Sequence, residues 1–331
     1  MSPTYKIEKN QIQQVYRENY SKIHGEFLRT QSLFLSNTCK KNNSDIESGN
    51  IALLFEKNIH KNILREKDND LDYDISFNNF WNNHFKITQN NLEITQDNSK
   101  IIFISSSIGI PKETTRRKIK NLLKSKILKK DKKKLFWSPL ENQKESYNAI
   151  FEETNNIISN KVKVFANYLG HRLNNEQIKE EINKNYSFYR YHYLKFQLMY
   201  LKNFQDKLKD LELLQIFLEC YIPANYYYEK NNIKFEEHLI KAKPKFNIEI
   251  PFVSSTTISA ITSIPRATCI RKLKILTKMK ILKKDIKSKK YQIDVNFINS
   301  KLSKKNNIGD EEIKIFSDFY SIILKVLLKK G

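Results

Sequence analysis

Nine of the 59 basic residues are arginines, and four of these, Arg116, Arg117, Arg266 and Arg271, fall in two short cationic stretches. Lys112, Lys120 and Lys124 share the first stretch, and Lys274 and Lys278 the second. Lys132, Lys133, Lys287 and Lys289 follow shortly after in basic runs. A guanidinium donates two parallel hydrogen bonds to a phosphate or another planar pair of acceptors, whereas an ammonium acts as a point charge. Thr114 and Thr268 place a hydroxyl near the start of each stretch, suited either to bonding a phosphate or to capping a helix. The chemistry on offer is capture of a polyanion. For Arg117 and Arg271 the plainer alternative is a brace, each pairing with a carboxylate of its own scaffold.

The two stretches are copies. Residues 110–131, IPKETTRRKIKNLLKSKILKKD, align without a gap with 264–285, IPRATCIRKLKILTKMKILKKD, at 14 of 22 positions. Their separation of 154 residues is far too long for a solenoid repeat and points to two copies of one domain. Charge follows the repeat. Pro111 to Lys134 holds twelve Lys or Arg against two acids, and Pro265 to Lys290 holds eleven against one. Each copy is therefore +10, and the other 281 residues supply only +3 of the net +23. Such concentration is a footprint for a partner, not a diffuse basic coat.

The elements that must carry these residues follow from spacing. Ile104, Ile108 and Ile110 are apolar, Gly109 suits a left-handed turn, and Pro111 suits the first turn of a second helix. Thr115, Ile119 and Leu122 then recur at intervals of four and three, as do Cys269, Leu273 and Leu276, so one face of the second helix turns inward. Glu113, Ala267 and Ile270 are the non-cationic positions of the outer faces. After each helix come a basic run and a short extended segment, LFWSP at 135–139 and KYQIDV at 290–295, where Tyr291, Ile293 and Val295 alternate as in a strand. Trp137 and Tyr291 are expected to pack the hairpins.

The motif resembles the winged helix-turn-helix domains of bacterial transcription regulators, such as the MarR-like, IclR-like and GntR-like families. The residues that carry the resemblance are the turn from Ile108 to Thr114, the Arg-Lys pairs at 117/118 and 271/272, and ILKKD before the hairpin. It covers about 45 residues per copy, with the motif itself at 101–139 and 254–296. Two departures stand out: Ser263 replaces the turn glycine in copy two, and Lys126 and Lys280 stand where a glycine usually precedes the wing. The resemblance implies that Lys112 to Lys124 and Arg266 to Lys278 enter the major groove while the wing meets phosphate.

The expected fold is mainly α with small β wings, two winged helix-turn-helix domains in one chain joined and flanked by long helices. Its domains would be 1–145, holding N-terminal helices and the first motif, and 146–331, holding a helical linker, the second motif and a C-terminal helix. An amphipathic helix is expected from Gln11 to Leu35, a loop at 43–50, one long helix from Asn185 to Leu214, and another at 311–328. The last two are candidate homodimer contacts. The aromatic run YSFYRYHYLKF at 186–196 is expected to be core rather than a platform for stacked bases.

Other chemistries find little footing. Six glycines allow neither GxGxxG nor GxxxxGK[ST], the six His have no metal-ligand spacing, and three Cys form no CxxC. DNDLDYD at 68–74 imitates a calcium loop but lacks its glycine and has Asn79 where a bidentate Glu is needed. No enzyme activity, catalytic residue, metal or cofactor is expected. No stretch has the ~20 apolar residues of a membrane span, and the N-terminus lacks a signal-peptide core, so a cytoplasmic, nucleoid-associated location and no membrane partner are expected. These readings converge on a sequence-specific double-stranded DNA binder, a bacterial transcription regulator. A plasmid- or phage-type replication initiator and a non-specific RNA or nucleoid binder are the alternatives. Two halves in one chain would mimic a two-fold dimer, with an imperfectly palindromic site because positions 113/267 and 116/270 differ.

Overall fold

The computed structural model describes residues 7–41, 45–84, 100–131, 134–138, 144–232, 251–294 and 308–330. It is mainly helical, with two small antiparallel sheets of two strands each. The helices are α1 (Lys9–Glu18), α2 (Tyr20–Lys41), α3 (Ile46–Asn69), the single turn α4 (Phe77–Asn79), α5 (Ile101–Ile108), α6 (Lys112–Lys124), α7 (Lys144–Tyr168), α8 (Asn175–Lys184), α9 (Tyr186–Leu208), α10 (Leu211–Lys230), α11 (Ser255–Thr262), α12 (Arg266–Lys278) and α13 (Ile308–Lys330). The strands are β1 (Leu128–Asp131), β2 (Lys134–Trp137), β3 (Leu282–Lys284) and β4 (Tyr291–Ile293). Where the sequence suggests a single cut near residue 145, the chain forms two discontinuous units: 1–9 with 47–202 and 318–331, and 10–46 with 203–317.

In the first unit a buried ion pair ties helices together. Arg190 on α9 reaches Glu56 on α3 at 2.7 Å and Thr154 on α7 at 3.4 Å. Burial by itself disfavours the guanidinium charge, but the Glu56 carboxylate outweighs it and holds Arg190 protonated. Tyr186, Phe77 and Phe151 close the same core, the two Phe rings stacked at 4.1 Å. Tyr189, Tyr193 and Phe196 are buried too, so the aromatic run is core.

In the second unit α10 packs on α2, α11, α12 and β4. Gly25 permits the approach of α2 to α10, since a Cβ there would collide with Glu229 and Asn225. Some of the polar groups buried along this seam are paired: Ser32 donates to Glu219, and Gln215 donates to Ser36 and to the Thr262 carbonyl, each at 3.2 Å, whereas Gln215 Oε1 and Asn225 Oδ1 accept no hydrogen bond among the described residues. Matching matters, because an orphaned buried amide costs about 1–3 kcal/mol.

Several sequence expectations are corrected. The helix read as continuous over 185–214 is two helices. Lys209 takes a left-handed φ of 59°, and the Asp210 carboxylate caps α10 by accepting from the Glu212 and Leu213 amides at 2.9 and 3.2 Å. The N-terminal helix breaks at Asn19, whose side-chain amide donates back to the Val15 carbonyl at 3.1 Å. The loop read at 43–50 is already helix from Ile46. Leu194, Leu198, Leu201, Ile313, Phe316, Tyr320 and Ile323 are buried in this chain. Most of the apolar positions expected to pair two chains through 185–214 or 311–328 are thus already covered.

The repeat is reproduced in local structure. Each copy is a helix (α5 or α11), a left-handed residue, a second helix (α6 or α12) and a hairpin. Gly109 at φ 71° ends α5 and Ser263 at φ 60° ends α11, so serine adopts the conformation that glycine holds in copy one. That conformation costs a serine about 1–2 kcal/mol, and hydrogen bonds around the turn recur in both copies. Ser105 donates to the Ile110 carbonyl at 2.6 Å, and Ser259 to the Ile264 carbonyl at 2.7 Å. Thr115 and Cys269, also equivalent, donate to the same two carbonyls at 3.3 and 3.4 Å.

The second helices end alike as well. Lys126 and Lys280 take φ of 60° and 61°, and the amides of Ile127 and Ile281 reach back five residues to Leu122 and Leu276 at 3.0 Å. This is the Schellman closure that usually employs glycine. Leu128 then pairs with Trp137, and Leu282 with Ile293. Trp137 and Tyr291 are buried and pack their hairpins. Val253, just ahead of α11, adds a third-strand bridge to Tyr291, with N···O distances of 2.8 and 2.9 Å. The corresponding residue of copy one, and Val295, lie outside the described residues.

Candidate nucleic-acid interface

The second helix of each module divides its cations between two directions. Thr115, Ile119 and Leu122 face inward on α6, and Cys269, Leu273 and Leu276 on α12, as their spacing predicts. Lys118 lies three residues after Thr115 and four before Leu122, so it belongs to that inner face. Its side chain is 15% exposed and pairs with Glu47, in the first turn of α3, at 3.3 Å. The equivalent Lys272 is 7% exposed and pairs with Asp210, the cap of α10, and with Glu212 at 3.1 Å. Both modules are thus braced at the same position by an inward lysine.

The neighbouring arginine does the opposite. One residue along a helix is a rotation of 100°, and Arg117 and Arg271 emerge on the exposed side. Neither makes an ion pair or side-chain hydrogen bond among the described residues. Lys112, Lys120, Lys124, Lys274, Lys278, Lys287 and Lys289 are likewise exposed and without such a partner. The sequence leaves Arg117 and Arg271 open as braces; the braces are Lys118 and Lys272. Helical spacing carried that signal, because a lysine flanked at both three and four residues by apolar positions sits on the inner face.

The remaining expected residues differ between modules. Arg116 pairs with Glu113 at 2.9 Å on the exposed surface of α6. In α12 the same two positions are Ile270 and Ala267, so no equivalent pair forms. Arg266 is exposed and donates to Thr256 at 3.3 Å. Thr114 and Thr268 are half-buried, and the helices begin at Pro111 and Pro265 without a side-chain cap. Neither hydroxyl is used for capping. Lys132 and Lys133 lie outside the described residues, but Lys129 and Lys130 on β1 are exposed.

Elsewhere, ionisable groups are spent on structure. Burial pushes the Cys220 thiol up to about 12 and the Cys39 thiol up to about 11, so both stay protonated at neutral pH. His24 is buried within 3.1 Å of both Tyr16 and Glu312. No group of three or more His, Cys, Asp or Glu side chains among the described residues is arranged to hold a metal. No described helix is long and apolar enough to cross a membrane. Comparison with protein families, with curated proteins and with solved structures finds no match to this chain.

Proposed function

We propose that both modules are winged-helix domains and that the chain binds double-stranded DNA sequence-specifically through them, as a regulator of transcription. The observation that carries this reading is the paired arrangement at 117/118 and 271/272: in both copies the lysine is neutralised by the scaffold and the arginine is left exposed with no carboxylate partner among the described residues. An arginine serving only stability would gain by the reverse arrangement. At 13 residues each, α6 and α12 are ~20 Å long and fit a major groove ~12 Å wide. Arg117 and Arg271 then read base edges, each bidentate contact contributing about 1–3 kcal/mol of discrimination. Lys112, Lys120, Lys124, Lys274 and Lys278 neutralise flanking phosphates, and the hairpin lysines 129, 130, 287 and 289 extend that contact along the backbone.

The test is selection of bound fragments from random duplex DNA, followed by binding of Arg117→Ala/Arg271→Ala to a selected and a scrambled duplex. The double variant is expected to lose preference for the selected sequence while keeping salt-dependent binding to both. Equal affinity of the unaltered protein for selected and scrambled duplexes would refute groove reading and leave charge alone. The recovered sequences, single operators or arrays of direct repeats, decide between control of transcription and initiation of replication.

A further inference from the structure

The two hairpins are not equivalent. Asp131 pairs with Lys134, so two residues connect β1 to β2. Lys284 pairs with Tyr291, so six residues connect β3 to β4. In the second hairpin the base pairing is shortened and a larger tip results. At that tip stands Ile286, 89% exposed, the most exposed large hydrophobic side chain among the described residues.

The tip is organised. The Asp285 amide donates to the Lys290 carbonyl at 3.0 Å and closes the loop. The Asp285 carboxylate turns back to accept the Ser288 amide at 2.6 Å, and the Lys290 amide reaches Ser288 Oγ at 3.4 Å. Lys289 takes a left-handed φ of 55°. The tip's acid is therefore consumed inside the loop, while Lys287, Lys289 and Lys290 around Ile286 are exposed. At the base, Lys284 lies over the Tyr291 ring at 5.8 Å, and Tyr291 is itself buried. Three bonded turns and an anchored aromatic thus present one branched apolar side chain on a cationic, narrow projection.

We infer that Ile286 is a minor-groove wedge: the second hairpin enters the minor groove of bound duplex and Ile286 inserts between adjacent base pairs, bending the DNA at that step. This deepens the proposed function and rests on it. A groove ~6 Å wide admits a single hairpin tip and no helix. Lysines around the tip match its negative potential, which is strongest where A·T runs narrow it. Pyrimidine–purine steps such as TA unstack at least cost, so the wedge favours such a step on the side of the site read by α12. The first hairpin has Lys132 and Lys133 between its strands and no apolar residue there, so only one end of the site is bent.

The experiment uses the full chain, a selected duplex carrying a donor and an acceptor dye at its ends, and a second copy of that duplex with 2-aminopurine at each candidate step. With the unaltered protein, energy transfer rises as expected for a bend of about 20–90°, and 2-aminopurine brightens at one step as it unstacks. Ile286→Ala is expected to keep the salt dependence and the preference for bases read by α6 and α12, to relax preference at the unstacked step and to lose both signals, and Ile286→Leu to retain all of them. Specific binding with identical energy transfer and 2-aminopurine signals in the unaltered protein and Ile286→Ala would overturn the wedge and leave groove reading intact. Failure of the unaltered protein to prefer any duplex would overturn both.

Discussion

Adjacent residues with opposite duties give a sharp test, and module two offers the larger effect. Lys272→Met keeps the aliphatic stem and removes the ammonium that lies between Asp210 and Glu212. Removing one member of a fully buried ion pair costs about 3–5 kcal/mol, and an exposed pair contributes about 0–1. Lys272 is 7% exposed, but Asp210 and Glu212 are 28% and 32% exposed and regain water when abandoned. The cost therefore falls between the limits, at about 2 kcal/mol, which for a domain-sized unit lowers Tm by about 4–8 °C. Lys118→Met abandons one carboxylate in a looser 3.3 Å pair and is expected to cost about 1 kcal/mol. Arg271→Ala, next door and exposed, is expected to stay within about 0.5 kcal/mol of the unaltered chain. Thermal unfolding followed by near-ultraviolet circular dichroism, run beside duplex binding on the same samples, reads both properties. Lys272→Met should lose stability and keep its sequence preference at temperatures where it is folded; Arg271→Ala should do the reverse. An Arg271→Ala protein that unfolds as early as Lys272→Met, or a Lys272→Met protein as stable as the unaltered chain, would refute the division of labour.

Glu56→Gln strips the carboxylate from the buried Arg190 guanidinium and is expected to cost about 3–5 kcal/mol, measured as a drop in the urea midpoint at constant slope. Lys126→Gly and Lys280→Gly should each stabilise by about 0.5–1 kcal/mol, because φ near 60° is strained for lysine and free for glycine; a loss in chemical denaturation would contradict the argument. Burial, with Lys195 nearby, pushes the His192 imidazole down to about 4 from its ordinary 6.5. Between those values the unfolded chain binds more protons than the folded one, so the stability is fully present above pH 6.5 and is lost as pH falls through about 4. His192→Phe should flatten that slope in a pH series of melts. Replacing Lys129 and Lys130 with Ala should lower the salt dependence of duplex binding by about two phosphate contacts without changing which sequence is preferred.

The sequence alone determined the repeat, its charge and the inner face of each second helix, since these depend on residue type and on a helical period shared by all chains. Intervals of four and three located Thr115, Ile119 and Leu122 without reference to any partner. Local strain was harder to read. Ser263, Lys126 and Lys280 break the glycine rule, each taking a φ near 60° where its helix ends. The longer second hairpin was open to counting, but the exposure of Ile286 depends on Asp285 folding back onto Ser288.

Helical spacing turns Lys118 and Lys272 inward, but only the tertiary structure decided which carboxylates they brace against. Lys272 finds Asp210 from 62 residues away, on a helix whose start is set by a break that no apolar period announces. The same long-range packing covers most of the stripes of α9 and α13 and divides the chain into discontinuous units instead of two successive halves. A period shows which face of a helix turns inward. What waits there, a carboxylate or another chain's apolar stripe, is settled by segments distant in sequence, whose approach depends on the summed packing of the whole unit.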